Sequence, residues 1–547
     1  MQLKRYEQVI GLLRSRLART PSDPNLHAML GSVFYRAGRE KDAAAEWDSA
    51  IATDPANPGT YRLVAAVLAE NRLLDRAAEV YRRGRTGTGD GDLFTLELAQ
   101  LLASTMNYSG ATTEYLRWLS KNPGQLSFVQ SRLAQMTGRD EARAAAAEVI
   151  RGALGDRGDL SLLQLLAWLA MEGKKYEEAF DVYRKIDALA GAHGNELYQF
   201  ASRAAGEKAY GIAARAYQEA IGAPLPASRM PYARYGYAAA VGELQADADT
   251  FASPVRGTPA TEAVPLYGGA VRLFQRIIED YPHTEFSAKS WYQIGLIQSE
   301  KFGDREGAVI SLRHVIEEAG PLPALRNDAT LVMGKVHVAR GDTAKAAGYF
   351  RQVIAAPDAS PDARDEAIFR LGEIDYFGGR FDSAMQKLGG ITVNLKADYA
   401  NDALRLAAFL QENAVTAPEA LRQFGAAEFL ARQGKNTEAV PILLSIITSY
   451  PRAPLVDDAL MAVGDLQASA GLFREAAASY ERLLGEFKES SIELDRAEFN
   501  LAEVYQYGTR EPARAQAAYE RLLADHPKSI LTGRARQRIR QLRGESL

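Results

Sequence analysis

The sequence of 547 residues contains no cysteine and only six histidines. Without cysteine, the chain has no disulfide, no thiolate metal site and no cysteine nucleophile. The histidines are scattered and lack the HExxH or other paired spacing of metal ligands. The nucleophile motif GxSxG and the phosphate-loop motif GxxxxGK[ST] are also absent. We therefore expect no catalytic residue, no metal site and no cofactor, and we predict that the chain is not an enzyme.

An excess of charge and a long apolar run are lacking as well. Lys and Arg number 65 against 69 Asp and Glu, which gives a net charge of −4. A general nucleic-acid binder would show a basic excess or a basic stripe. The longest apolar stretch runs from Leu162 to Met171 with Gln164 inside it, and it is too short to span a bilayer. We therefore expect other proteins as partners, no nucleic acid, and no direct membrane span.

The N-terminal residues MQLKRYEQVIGLL lack the apolar core and small-residue cleavage site of a signal peptide. Residues 4–18, followed by Pro21, have the pattern of the second helix of a hairpin whose first helix would lie upstream. A signal or anchor removed from the N-terminus therefore stays open, and membrane association could come from it or from partners.

A period of 34 residues is the main feature that is present. Large and small residues alternate with a later aromatic and a closing proline, a pattern that marks helical hairpins. The first two copies contain Leu30, Gly31, Phe34, Ala43, Trp47, Ala50 and Pro55, and then Val64, Ala65, Leu68, Ala77, Tyr81 and Gly84. The spacing recurs at Ala99 with Ala111, Ala167 with Ala179, Ala201 with Ala213, Gly295 with Ala308, Gly334 with Ala346, Gly372 with Ala384, Ala427 with Ala439, Gly464 with Ala476, and Ala502 with Ala515.

This spacing resembles the tetratricopeptide repeat, which has small residues at motif positions 8 and 20 and an aromatic at 24. Small residues let two antiparallel helices approach closely, and proline ends the second helix. One hairpin buries too little apolar surface to fold alone, so neighbours must stack. The resemblance implies an all-α fold, a right-handed superhelical solenoid of about a dozen hairpins. The alternative, a generic helical bundle, would need chance agreement in register over about ten segments.

Residues 222–262 depart from the period and contain prolines typical of loops. Within them, residues 232–251 have a helical pattern. We therefore expect an N-terminal array over 1–221, an irregular hairpin with a long inserted loop over 222–262, and a C-terminal array over 263–530. A basic capping helix and tail follow over 531–547, and such a cap covers the last apolar face of a solenoid.

The first helix of each hairpin is expected to line a concave groove. Motif positions 5 and 9 lie one turn apart on that helix, so each C-terminal repeat would present an apolar side chain beside a carboxylate. We predict a protein-binding groove for apolar groups and Lys or Arg, while solvated acids and partly buried aromatics remain the alternative. The groove residues are Tyr292, Phe369, Phe424, Met461 and Phe499 at position 5, and Glu373, Glu428, Asp465 and Glu503 at position 9.

The phrases YPHTEFSAKSWYQIG, YPRAPLVDDALMAVG and HPKSILTGRARQRI resemble those of bacterial envelope repeat proteins. These include the lipoprotein of outer-membrane β-barrel assembly and the periplasmic coordinator of the Tol-Pal system, although the N-terminal array and the missing lipidation cysteine depart from both. The resemblance implies a scaffold or adaptor subunit of an envelope complex with a periplasmic or envelope-associated location. The alternative is a cytoplasmic chaperone or regulator that binds an extended peptide in its groove.

Overall fold

The computed structural model describes residues 2–155, 158–250, 260–318, 322–391, 399–487 and 493–545. These residues form 29 α-helices and no strand, which confirms the all-α fold. The chain forms two compact units. Unit 1 comprises residues 1–212 with 222–225, and unit 2 comprises residues 213–221 with 226–547.

Unit 1 is a series of helices in which most consecutive helices pack together, and α9 packs against α7 as well as against α10. A single 3-10 turn, Pro123–Gln125, precedes α8. The helices are α1 (Gln2–Leu17), α2 (Pro24–Arg36), α3 (Glu40–Thr53), α4 (Pro58–Glu70), α5 (Leu74–Thr88), α6 (Thr95–Ser104), α7 (Tyr108–Lys121), α8 (Leu126–Met136), α9 (Asp140–Leu154), α10 (Leu160–Glu172), α11 (Tyr176–Ala190) and α12 (Asn195–Gly206). Helix α13 (Tyr210–Gly222) contains residues of both units.

Unit 2 continues the same plan. Its helices are α14 (Met230–Thr250), α15 (Ala260–Asp280), α16 (Glu285–Glu300), α17 (Arg305–Glu318), α18 (Pro323–Ala339), α19 (Thr343–Ala355), α20 (Pro361–Phe377), α21 (Phe381–Ile391), α22 (Ala400–Thr416), α23 (Pro418–Arg432), α24 (Asn436–Ser449), α25 (Val456–Ser469), α26 (Phe473–Glu486), α27 (Leu494–Glu503), α28 (Pro512–Asp525) and α29 (Thr532–Arg543). The hairpins are α16–α17, α18–α19, α20–α21, α23–α24, α25–α26 and α27–α28, and α22 packs between α21 and α23.

Small residues at motif position 8 set how closely the two helices of a hairpin approach. Gly464 faces the ring of Tyr480, and a Cβ at Gly464 would lie only 2.5 Å from that ring. Gly31 faces Trp47 in the same way, and Trp47 Nε1 donates to the backbone oxygen of Ala28 at 3.3 Å. The aromatic at position 24 therefore occupies the space that the missing side chain leaves.

Helix starts are fixed by local capping. Proline occupies the first turn of α2, α4, α18, α20, α23 and α28, where its missing N–H has no intrahelical partner to lose. At α16, Thr284 and Ser287 form a reciprocal capping box. These residues fix where each of these helices begins, a few residues after the preceding helix ends.

The last hairpin contains one extra residue. Gly464, Ala476 and Tyr480 are 12 and 16 residues apart, whereas Ala502 lies 13 and 17 residues before Ala515 and Tyr519. A π-helical turn, Val504–Gly508, absorbs this insertion directly after α27. A single wide turn lets the helix keep its buried face on both sides of the insertion.

The irregular region contains the helix expected over residues 232–251, which is observed as α14. Residues 251–259 of the expected inserted loop lie outside the described residues. Helix α15 begins at Ala260, so the expected boundary at 262/263 falls inside a helix instead of at its start. At the C-terminus, α29 forms within the expected capping segment, and its Ala535 and Ile539 join the core of unit 2.

Candidate interaction surface

The apolar residues predicted to line a groove are mostly buried. Phe369, Phe424, Met461 and Phe499 are only 7%, 5%, 4% and 2% exposed, so the expectation that they form an open surface is wrong. The three rings pack on Tyr399, Phe409 and Tyr519 respectively, with ring centroids 5.6, 5.3 and 5.6 Å apart. Position 5 therefore belongs to the core of unit 2, because neighbouring helices cover that side of the first helix.

Tyr292 on α16 is the exception, since it stays partly exposed. Burial, together with the carboxylate of Asp328 on α18, raises the pKa of Tyr292 to about 12. Its hydroxyl therefore stays protonated at neutral pH and can act as a hydrogen-bond donor.

Asp465 on α25 is held by two neighbouring helices. The hydroxyl of Tyr480 on α26 donates to Asp465 Oδ1 at 2.6 Å. Two side chains of α27 also bind this carboxylate, since Asn500 Nδ2 donates to Oδ1 at 2.9 Å and Arg496 Nη2 to Oδ2 at 2.5 Å. Asp465 thus joins its own hairpin to the next one.

Glu503 repeats this arrangement deeper in the core, where its side chain is fully buried. Tyr519 of the same hairpin donates to Glu503 Oε1 at 2.6 Å, and Arg538 Nε of α29 donates to it at 2.8 Å. A buried charge of this kind requires a charged partner and hydrogen bonds. The acid therefore holds the capping helix on the last hairpin.

Glu373 on α20 belongs to a row of alternating charges. Its carboxylate accepts from Arg370 at 2.6 Å and from Arg432 of α23 at 2.8 Å. Arg370 also approaches Glu366, which pairs with Lys335 of α18 at 3.2 Å. Glu373, like Asp465 and Glu503, is therefore satisfied within the chain.

The sequence carries a signal for this bonding that position 9 alone does not show. Asp465 and Glu503 each come from a hairpin with a tyrosine at the aromatic position of the second helix, Tyr480 and Tyr519. A buried tyrosine hydroxyl needs a hydrogen-bond partner. An acid opposite such a tyrosine is therefore better interpreted as its acceptor than as a free binding group.

Glu428 on α23 is the one predicted acid without such a partner set. Within the described part of the chain, neither Glu428 nor Asp458 on α25 has a Lys or Arg at ion-pair distance. The charges of Arg432 and Arg405 act on Glu428, but these two arginines pair with Glu373 and Asp402. Glu428 therefore lies in a locally acidic environment.

Asp458 lies in the same environment, and burial raises its pKa to about 7. The carboxylates of Asp457, Glu493, Glu412 and Glu428 add to this shift. Burial also raises the pKa of Glu428, with Tyr376 and Arg432 offsetting only part of the effect. We call Glu412, Glu428 and Asp458 the acidic cluster. It brings together carboxylates from α22, α23 and α25, and sequence analysis had identified only one of them.

Two further features of the described residues bear on function. No group of three or more His, Asp or Glu side chains is arranged to hold a metal ion. No described helix is both long enough and apolar enough to cross a bilayer.

Comparison with protein families places repeats at both ends of the chain. Two family models, each described as a tetratricopeptide repeat, match the sequence. One matches residues 4–59, 28–91 and 424–491, and the other matches residues 496–529. No curated protein matches the sequence at a significant level.

Solved structures that resemble the chain are remote in sequence. The Naa15/Naa10 complex bound to HypK-THB is 13% identical with a TM-score of 0.25, covering 98% of this chain and 92% of that one. A human IFIT1 dimer with m7Gppp-AAAA is 13% identical with a TM-score of 0.30, covering 85% and 90%. Scores this low do not extend the ligands of those proteins to this chain. The family models thus match tetratricopeptide repeats over residues 4–91, 424–491 and 496–529, where the structure has packed pairs of helices.

Proposed function

We propose that the chain is a non-catalytic scaffold that binds another protein through the acidic cluster of unit 2. The observation that supports this is the contrast between position-9 acids. Glu373, Asp465 and Glu503 are each bound by an arginine of the chain, whereas Glu428 lies beside Asp458 without one.

The physical argument rests on the cost of crowding carboxylates. Holding several partly buried acids together is unfavourable, as the raised pKa of Asp458 indicates. A Lys or Arg side chain of a partner would neutralise Glu428 and Asp458 and supply hydrogen bonds to both. Tetratricopeptide repeats present extended surfaces to protein partners. A basic side chain of a partner protein therefore fits this surface best.

The finer proposal is that the partner belongs to a bacterial envelope complex. It is supported by the phrasing of residues 281–295, 450–464 and 526–539, which resembles envelope scaffolds. A periplasmic or envelope-associated location follows from the same resemblance. Fold alone does not specify a cellular process, so the location needs its own experiment.

A cytoplasmic chaperone or regulator that binds one extended peptide is the second candidate. Such a protein would use carboxylates along the whole groove. Glu373 and Glu503 are engaged within unit 2 and nearly or fully buried, which favours one localised contact over an extended one.

Affinity capture with two matched double variants tests the proposal. Glu428→Gln with Asp458→Asn neutralises first-helix acids of two hairpins. Glu438→Gln with Glu475→Gln neutralises two exposed acids on the second helices of the same hairpins. We expect the first variant to lose a partner that the wild type and the second variant retain. Retention of every partner by both variants would contradict binding at the acidic cluster.

Capture from separate envelope and soluble fractions tests the location. Recovery of the Glu428-dependent partner from the envelope fraction would support the envelope scaffold. Recovery from the soluble fraction alone, together with competition by a short basic peptide, would favour the peptide-binding chaperone.

A further inference from the structure

A carboxylate occupies a core position in the hairpin α20–α21. Gly372 takes motif position 8, so Asp375 takes position 11, where Phe34 and Leu68 fill the core of earlier hairpins. Asp375 is only 8% exposed. An acid in place of a large apolar residue removes packing and must be neutralised, so its presence calls for an explanation beyond stability.

Asp375 orients two cations. Arg380 donates to Asp375 Oδ1 through Nε at 2.9 Å and through Nη2 at 2.8 Å. Lys387 and the hydroxyl of Ser383 both donate to Oδ2, the latter at 2.6 Å. Burial by itself would raise the pKa of Asp375, but the bonds from Lys387, Ser383 and Arg380 outweigh burial and lower it. The carboxylate is therefore ionised and fixes both cationic groups.

Both cations line a cavity of about 330 Å³, and a third cation, Arg351 of α19, lines it as well. Arg351 is exposed, and no acid in the described part of the chain pairs with it. With Asp375 as the single acid in the lining, the three cations leave two net positive charges. The volume is at the lower end of the range for small-molecule sites, which is roughly 300 to 1,000 Å³.

The first turn of α19 also contributes to the positive electrostatic potential of the cavity. Thr343, the first residue of α19, lines the same cavity. First-turn amides of a helix have no intrahelical acceptor, and the helix dipole favours an anion there. Asp342 caps this helix by accepting from the backbone N–H of Lys345 at 3.1 Å, and it pairs with the Lys345 side chain at 3.1 Å, so one first-turn amide is already engaged. Leu371 and Ile374 form an apolar part of the cavity wall.

We propose that this cavity binds a phosphate group, either as free phosphate or as a small phosphate monoester. Two guanidinium groups and one ammonium match a compact dianion, because a guanidinium can bind two phosphate oxygens at once. A monocarboxylate carries one negative charge and would neutralise only one of the two net positive charges of the lining. The site is formed by α19, α20, α21 and Arg380 in the turn between α20 and α21. It shares no residue with the acidic cluster, so it is independent of the proposed scaffold function.

Calorimetric titration of the full chain at constant ionic strength tests the proposal. The probes are inorganic phosphate and glycerol phosphate, with acetate as the monocarboxylate. We expect saturable binding of phosphate and much weaker binding of acetate. Arg351→Gln should weaken phosphate binding about tenfold, the effect of one lost charged hydrogen bond.

Arg313→Gln is the matched control, since Arg313 takes the same motif position on α17 and is also exposed. Neither arginine pairs with an acid in the described residues, so both variants should fold. Unchanged phosphate affinity in Arg313→Gln supports the site. Equal weakening in both variants, equal affinity for acetate, or no saturable binding would overturn it. Binding of inorganic phosphate without glycerol phosphate would restrict the site to the free anion, and binding of both would admit esters.

Discussion

The hydroxyl of Tyr519 donates to the fully buried carboxylate of Glu503 at 2.6 Å. Arg538 Nε of the capping helix α29 donates to the same carboxylate at 2.8 Å. The last hairpin and the cap are therefore joined through one buried acid in addition to their apolar contact. This explains why a helix as polar as α29 docks in a fixed register.

Replacing Glu503 by Gln should destabilise the C-terminal end of unit 2. The variant leaves the guanidinium of Arg538, which is 7% exposed, without its charged partner. Breaking one side of a buried pair costs about 3 to 5 kcal/mol. Chemical denaturation should show this loss, and hydrogen exchange should show that α29 loses protection first.

Glu520→Gln is the matched control for that loss. Glu520 of α28 pairs with Arg543, which lies on α29 like Arg538, but the side chains of Glu520 and Arg543 are both 49% exposed. Exposed pairs contribute about 0 to 1 kcal/mol. If Glu520→Gln lowered the free energy of unfolding as much as Glu503→Gln, burial of the Glu503–Arg538 pair would not account for the lost stability.

Close helix approach gives a second prediction, on the hairpin α18–α19. A Cβ at Gly334 would overlap the ring of Phe350, whereas a Cβ at Gly348 meets no atom within 4 Å. Gly334→Ala should therefore lower the free energy of unfolding by about 1 to 3 kcal/mol, since overpacking forces the core apart. Gly348→Ala should raise it by roughly 0.5 to 1 kcal/mol through helix propensity. Thermal unfolding of both variants checks the opposite signs.

The close approach of a small residue and an aromatic ring within one hairpin could be predicted from the sequence, because both residues belong to the same repeat. Gly464 and Tyr480 belong to one hairpin, and their spacing shows the packing directly. The bond from Arg432 to Glu373 joins residues 59 positions apart, across α22, and no period of a single repeat reveals it. Burial of Phe369 stayed an open alternative for the same reason, because Phe369 packs on Tyr399, which lies outside its own hairpin.

The raised pKa of Asp458 gives a prediction on pH dependence. The folded state holds a proton on this carboxyl up to about pH 7, whereas an ordinary Asp loses it near pH 4. The folded state therefore binds more protons between these values, so this group's contribution to stability falls as pH rises from about 4 to 7. Asp458→Asn should raise the free energy of unfolding by about 1 to 3 kcal/mol at pH 8.

The same substitution should have little effect near pH 4, where both the variant and the wild type are uncharged at this position. Denaturation at pH 4.5 and pH 8 measures the difference. Glu438→Gln removes an exposed acid from the neighbouring α24, and its effect should be small at both values. A gain in Asp458→Asn that does not depend on pH would contradict a crowded carboxyl at this site.

Site-specific photocrosslinking tests the central claim, binding of a protein at the acidic cluster, most directly. A photoreactive residue at Glu412 lies within the cluster and is exposed, and one at Glu438 is exposed on the second helix of the neighbouring hairpin. We predict crosslinks from position 412 to one or a few proteins, abolished by Glu428→Gln with Asp458→Asn, and none from position 438. Crosslinks of equal yield from both positions, or crosslinks at 412 that persist in the double variant, would show that the acidic cluster is not the binding surface.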